Sequence, residues 1–177
     1  MTTPFSPLML QRLEQVRDVQ VGFSSSDGFI GRAIEWFTRG GPSHVIMPFQ
    51  LPDRSSRDVF EATWPKIIIR PFVPGETNSG LYRPPPGVDM DSALKVVARA
   101  CLADHYDLGG LVGMIPVEML RRVAVYIANP VQSKHQEFCS CLADMTMRVA
   151  RWPGTEKLDP HSTDPGQLLK VCQASHG

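Results

Sequence analysis

The chain has 177 residues, and its 18 Lys plus Arg against 18 Asp plus Glu leave a formal charge of zero at neutral pH. That length suits one domain over residues 1–177, with a core large enough to need neither disulfides nor a structural metal. The balanced charge lacks the basic excess that nucleic-acid binding draws on, so no nucleic-acid partner is expected.

Met1 to Pro7 has no basic n-region, and the apolar run Pro7 to Leu10 is too short for a signal peptide. A product made in the cytoplasm without a leader is therefore expected. Pro7 to Asp18 reads as a short helix, with Leu8, Leu10, Leu13 and Val16 at near-helical spacing. Val19 to Phe23 reads as a strand. Ser26-Asp27-Gly28 is a cap-rich turn before the apolar helix carried by Phe29, Ile30, Ala33, Ile34, Trp36 and Phe37, which Arg39-Gly40-Gly41-Pro42 stops. Three apolar runs follow, Ser43 to Phe49, Arg57 to Thr63 and Lys66 to Phe72, split by Pro52-Asp53 and Trp64-Pro65. They predict a meander of antiparallel strands. A further short strand is expected at Gly80 to Arg83, before the stiff connector Pro84-Pro85-Pro86-Gly87.

The second half reads as helical. Asp89 or Asp91 can cap a helix whose Met90, Ala93, Leu94, Val97, Ala100 and Cys101 share one face. Leu108 to Met114 and Val117 to Ala128 predict two more helices, the second opened by Pro116. A last long helix is expected from Phe138 to Arg151. The sum is an α+β fold, one antiparallel sheet with helices packed against it. No segment approaches the roughly 20 apolar residues of a membrane span.

Four cysteines, Cys101, Cys139, Cys141 and Cys172, are too sparse for a disulfide scaffold, so reduced thiols are expected. His135, Cys139 and Cys141 lie close in sequence, with Cys172 further on, but lack the paired spacing of a structural zinc site. No metal and no cofactor is expected. Cys139 is expected in the first turn of the last helix, on the face of Leu142 and Ala143, where the helix dipole favours a thiolate. An inert buried thiol is the other reading of that spacing.

A nucleophilic cysteine needs a base. Of the five histidines, His176 is expected to fray at the C-terminus, His161 sits in a polar loop stretch, and His135 stands among Gln132, Ser133, Lys134 and Gln136. His105 has no such marker. His44 differs because it opens the apolar run Val45-Ile46-Met47, where an imidazole needs a partner or a task. A satisfied core histidine is the alternative. Glu61, inside Val59-Phe60-Glu61-Ala62-Thr63, is either a solvent-facing strand residue or the carboxylate that orients an imidazole.

Ala33-Ile34-Glu35-Trp36-Phe37-Thr38-Arg39-Gly40-Gly41-Pro42-Ser43-His44-Val45 resembles the aromatic, Thr, small-turn, Ser-His-Val signature of the circularly permuted papain-like amidases, a rearranged branch of the NlpC-type cell-wall hydrolases. Val59-Phe60-Glu61-Ala62 is similar to that family's Val-Ile-Glu-Ala strand, Tyr106-Asp107 to its Tyr-Asp pair, and Phe138-Cys139-Ser140-Cys141-Leu142 to its Cys-Ser-Glu-Leu motif. The motifs stand in the permuted order, histidine strand first and cysteine helix last, within a resemblance that spans Val19 to Leu169. Two departures stand out. Cys141 replaces the motif's Glu, and the Gly-Asp that opens the family's first strand is absent, with Asp18 and Gly22 nearby.

The resemblance implies a permuted papain-like fold and a cysteine peptidase or amidase with Cys139 as nucleophile, His44 as base and Glu61 as orienting group. The oxyanion would be met by the backbone N–H of Cys139, with Tyr106 or a donor near Ser43. The implied substrate is a peptide or isopeptide bond of peptidoglycan. A wall substrate and the absence of a leader together imply a virion-associated or wall-delivered protein, in a bacteriophage tail among other tail proteins or in a lysis system. Two other readings remain: an inactive structural or assembly protein of a phage tail, kept open by Cys141, and a lipid acyl hydrolase or transferase on the same permuted fold.

Overall fold

The computed structural model describes residues 11–25, 41–63, 66–102, 135–158 and 163–177. Its strands are β1 (Val21–Ser24), β2 (His44–Gln50), β3 (Arg57–Thr63), β4 (Lys66–Pro71) and β5 (Gly80–Tyr82). Among the described residues its named helices are α1 (Met90–Leu102), α2 (His135–Val149) and α3 (Pro165–Ala174), with a 3₁₀ turn at Thr155–Lys157, and residues 11–13 are helical too. The five strands form one sheet in the order β4-β3-β2-β1-β5, antiparallel at every described pairing. The fold is α+β as expected, and the predicted meander is β2-β3-β4. The helices expected at 29–37, 108–114 and 117–128 lie outside the described residues.

β1 begins at Val21 rather than Val19 for a local reason. Asp18 takes a left-handed conformation (φ 51°), and the N–H groups of Asp18 and Val19 donate to the Asp91 carboxylate at 3.1 and 2.9 Å. Those two donors are thus tied to the first turn of α1 instead of to a strand. Asp91 is therefore a clamp between α1 and the sheet, while Asp89 caps the helix by accepting from the Ser92 N–H at 2.9 Å. Gly22 has no room for a side chain, since a Cβ there would meet Thr77 Cγ2 at 2.6 Å.

The core lies between the sheet and α1 and α2. Val45, Met47 and Phe49 of β2, Phe60 and Ala62 of β3, and Val21 and Phe23 of β1 meet Met90, Leu94 and Val97 of α1 and Leu142, Ala143 and Met147 of α2. Each large side chain so buried contributes about 1.5–3 kcal/mol. The alternating positions of β2 and β3 carry His44 and Glu61 beside the buried Ile46 and Val59. α2 packs on both β2 and β3 as well as on α1 and α3.

α2 opens at His135, three residues before the expected Phe138. It ends at Val149, before Arg151 turns left-handed (φ 59°) and the Trp152 N–H closes on the Met147 carbonyl at 2.8 Å. α3 was not anticipated, although its start is written in Asp164-Pro165-Gly166-Gln167. The Asp164 carboxylate accepts from the Gln167 N–H (2.8 Å), the Gln167 side chain accepts from the Asp164 N–H (3.0 Å), and Pro165 fills the first turn. Among the described residues no helix is long and apolar enough to cross a membrane.

Candidate active site

His44 opens β2, the central strand. The Ser43 N–H donates to the Ser24 carbonyl at 3.0 Å and Ser24 registers against His44, so the ring is held where the β1–β2 ladder begins. Its side chain is 26 % exposed, which leaves one edge open to solvent. Glu61, on the neighbouring β3, is only 5 % exposed, so the solvent-facing alternative for this carboxylate does not hold.

Glu61 is satisfied from two sides. Its Oε2 lies 3.3 Å from His44 Nε2. Its other neighbour is Arg70 of β4, whose Nε donates to Oε1 at 3.0 Å and whose Nη2 donates to Oε2 at 2.9 Å. This bidentate fork is the geometry in which a guanidinium holds a carboxylate most firmly. Arg70 Nη2 also pairs with Glu76 Oε2 at 2.7 Å, and Glu76 Oε1 accepts from the Val73 N–H at 2.9 Å. Burial on its own would raise the Glu61 carboxyl, but the hydrogen bonds and charges of His44 and Arg70 hold it down at about 2. Glu61 is therefore a carboxylate at neutral pH, and His44 Nε2–H donates to it.

Cys139 stands on α2 against β2 and β3 and is 3 % exposed. It lies close enough to the His44 ring to be one of the groups that raise the ring's pKa. With Nε2 on the carboxylate, Nδ1 is the ring nitrogen left for the sulfur. Burial on its own would lower His44, yet its interactions with Cys139 and Glu61 raise it to about 9. The arrangement thus favours an imidazolium beside the Glu61 carboxylate. Chemically it can hold a thiolate–imidazolium pair and pass a proton from the ring to a leaving group.

Cys139, His44 and Glu61 are thus brought together. The oxyanion donors are not assembled in the expected way. Because α2 opens at His135, Cys139 is its fifth residue, one turn in, where the helical bonding pattern already engages its backbone N–H. The Ser43 N–H is likewise committed to Ser24, and the residue is buried. Tyr106 lies outside the described residues. Cys141, in the place of the motif's Glu, directs its sulfur to Met145 Sδ at 4.0 Å. Among the described residues Cys139, Cys141 and Cys172 are free of disulfides, and no group of three or more His, Cys, Asp or Glu side chains is placed to hold a metal ion. The side chain of Cys101 is outside the description.

Sequence reasoning missed Arg70 and Glu76. The alternation of β4 could have found Arg70, a cation closing the run Ile67-Ile68-Ile69 on a strand predicted to neighbour Glu61. His176, expected to fray, instead donates from Nδ1 to the Cys172 carbonyl at 2.8 Å and rests its ring on Tyr82. No family model, no curated protein and no solved structure matches this chain.

Proposed function

We propose that the protein is a cysteine peptidase or amidase of the circularly permuted papain-like type, cleaving an amide bond through an acyl-enzyme. The observation that carries this reading is the His44 ring, bound to the buried Glu61 carboxylate at 3.3 Å and close enough to Cys139 to be perturbed by it. In the first half-reaction the Cys139 thiolate attacks the carbonyl carbon, the C–N bond breaks, and the His44 imidazolium gives its proton to the departing amine. In the second, neutral His44 takes a proton from water, the hydroxide oxygen bonds to the thioester carbon, and the thiolate leaves. Glu61 stays ionised throughout and keeps the ring in one orientation.

Resemblance of the motifs around His44, Glu61 and Cys139 to the permuted amidases supports peptide or isopeptide bonds of peptidoglycan as the substrate class. A bacteriophage tail or lysis system is the matching setting. The test is zymography on purified peptidoglycan, followed by single-turnover acylation with a defined stem peptide, for wild type beside Cys139→Ala. Clearing by wild type alone, with a thioester trapped on Cys139, is the expected result. Equal clearing by both proteins, or by neither, overturns the reading.

A further inference from the structure

Arg70 and Glu76 are the charged side chains of this region that the catalytic scheme leaves unused. Arg70 sits opposite Val59 in the β3–β4 ladder, one diagonal step from Glu61, which lies opposite Ile68. Across an antiparallel pair that diagonal is within reach of a long side chain. The guanidinium meets Glu61 with two parallel bonds, Nε to Oε1 at 3.0 Å and Nη2 to Oε2 at 2.9 Å. Glu76 grips the same Nη2 at 2.7 Å and is itself anchored to the Val73 N–H. Oε2 of Glu61 is therefore shared between Arg70 and His44.

We propose that Arg70, held by Glu76, is a positioning residue for the Cys139–His44 pair, a fork that fixes the plane of the Glu61 carboxylate with Oε2 turned to His44 Nε2. The proposal rests on the functional reading above. A glutamate has three side-chain torsions, and the contact to His44 restrains only one oxygen. The second oxygen is set by Arg70 Nε alone among the described contacts. Only a planar fork can hold both oxygens, so a lysine would keep the charge and lose the orientation.

A role in charge alone predicts the opposite sign. The Arg70 cation opposes a positive His44 ring, so removing it with Glu61 left in place would raise the ring's pKa. Loss of positioning lets the carboxylate swing away, and the ring falls toward its ordinary value.

The experiment is NMR titration of the full chain with 15N-labelled histidine, for wild type, Arg70→Lys, Arg70→Gln and Glu76→Gln, with single-turnover acylation on the same samples. Arg70→Lys is expected to lower the His44 midpoint by about one unit or more and to slow acylation roughly tenfold without weakening substrate binding. Glu76→Gln, which leaves the fork intact, should move both readouts in the same direction by less. A lysine variant that titrates and reacts like wild type, or a glutamine variant whose His44 midpoint rises, overturns the proposal. The titration needs no substrate, so a wild type without acylation activity sinks the functional reading and still leaves the role of Arg70 decided.

Discussion

Among the described residues two places bring a histidine to a buried cysteine, and they are built differently. At the β2–α2 seam, His44 lies between the Cys139 thiol and the Glu61 carboxylate, with Arg70 and Glu76 behind. Just past the end of α3, His176 meets Cys172 through the backbone carbonyl, and its ring lies against Tyr82 (5.5 Å) and Trp152 (6.4 Å). Cys172 is fully buried, and that burial pushes its thiol up to about 12. Proximity of the two residue types is thus common to both sites. What separates them is an ionised group on the far side of the ring, which turns a packed histidine into one that can hold a proton for a thiolate.

The sharpest way to break this comparison is thiol chemistry. At pH 7 a thiol with a pKa near 12 is ionised in about one molecule in 10⁵, and the thiolate is the reactive form. Limiting iodoacetamide on the folded protein, read by peptide mass spectrometry, should label Cys139 and leave Cys172 untouched until the chain unfolds. Labelling of Cys172 ahead of Cys139 would show that the two sites differ in packing only.

The next largest effect is expected at Glu61. Replacing it with Gln keeps the shape and removes the charge, leaving Glu76 as the anionic partner of the Arg70 guanidinium near the ring. Single-turnover acylation should slow by about 10²–10⁴ with binding unchanged, the range seen when an orienting carboxylate becomes an amide. The alkaline limb of the rate, set in wild type by loss of the His44 proton near pH 9, should move to lower pH. Wild-type rate and limb in Glu61→Gln would reduce the carboxylate to a structural ion pair.

The antiparallel meander was legible because Pro52-Asp53 and Trp64-Pro65 interrupt runs of strand-forming residues, and local composition decides such boundaries. His44, Glu61 and Cys139 were legible for another reason: each is a polar or reactive residue inside an apolar pattern. Arg70 escaped because an arginine near the end of a strand is ordinary in sequence, and the predicted meander specified no β3–β4 register, which sets it one diagonal step from Glu61. The helix start at His135 escaped because nothing in Gln132 to Gln136 breaks or caps in a one-sided way. α3 escaped for no physical reason, since its capping box and proline are local signals.

The smallest effect expected is on stability, and it sharpens the comparison without any substrate. His44 is raised from 6.5 to about 9 by its contacts in the fold, so the folded chain binds more protons than the unfolded chain between those values. The stabilisation is fully present below about pH 6.5 and is lost as pH rises through about 9. Glu61, lowered to about 2, works in the other direction: its contribution is present above 4.5 and is lost as pH falls through 2. With the ring about a quarter exposed, screening reduces the His44 effect to ~2 kcal/mol. Urea unfolding of wild type should therefore weaken by that amount between pH 6 and pH 9.5, and His44→Gln should remove the slope. A wild-type profile that is flat over this range, or a slope that survives in His44→Gln, would mean that the imidazolium is not stabilised in the folded protein and that the seam resembles the α3 site after all.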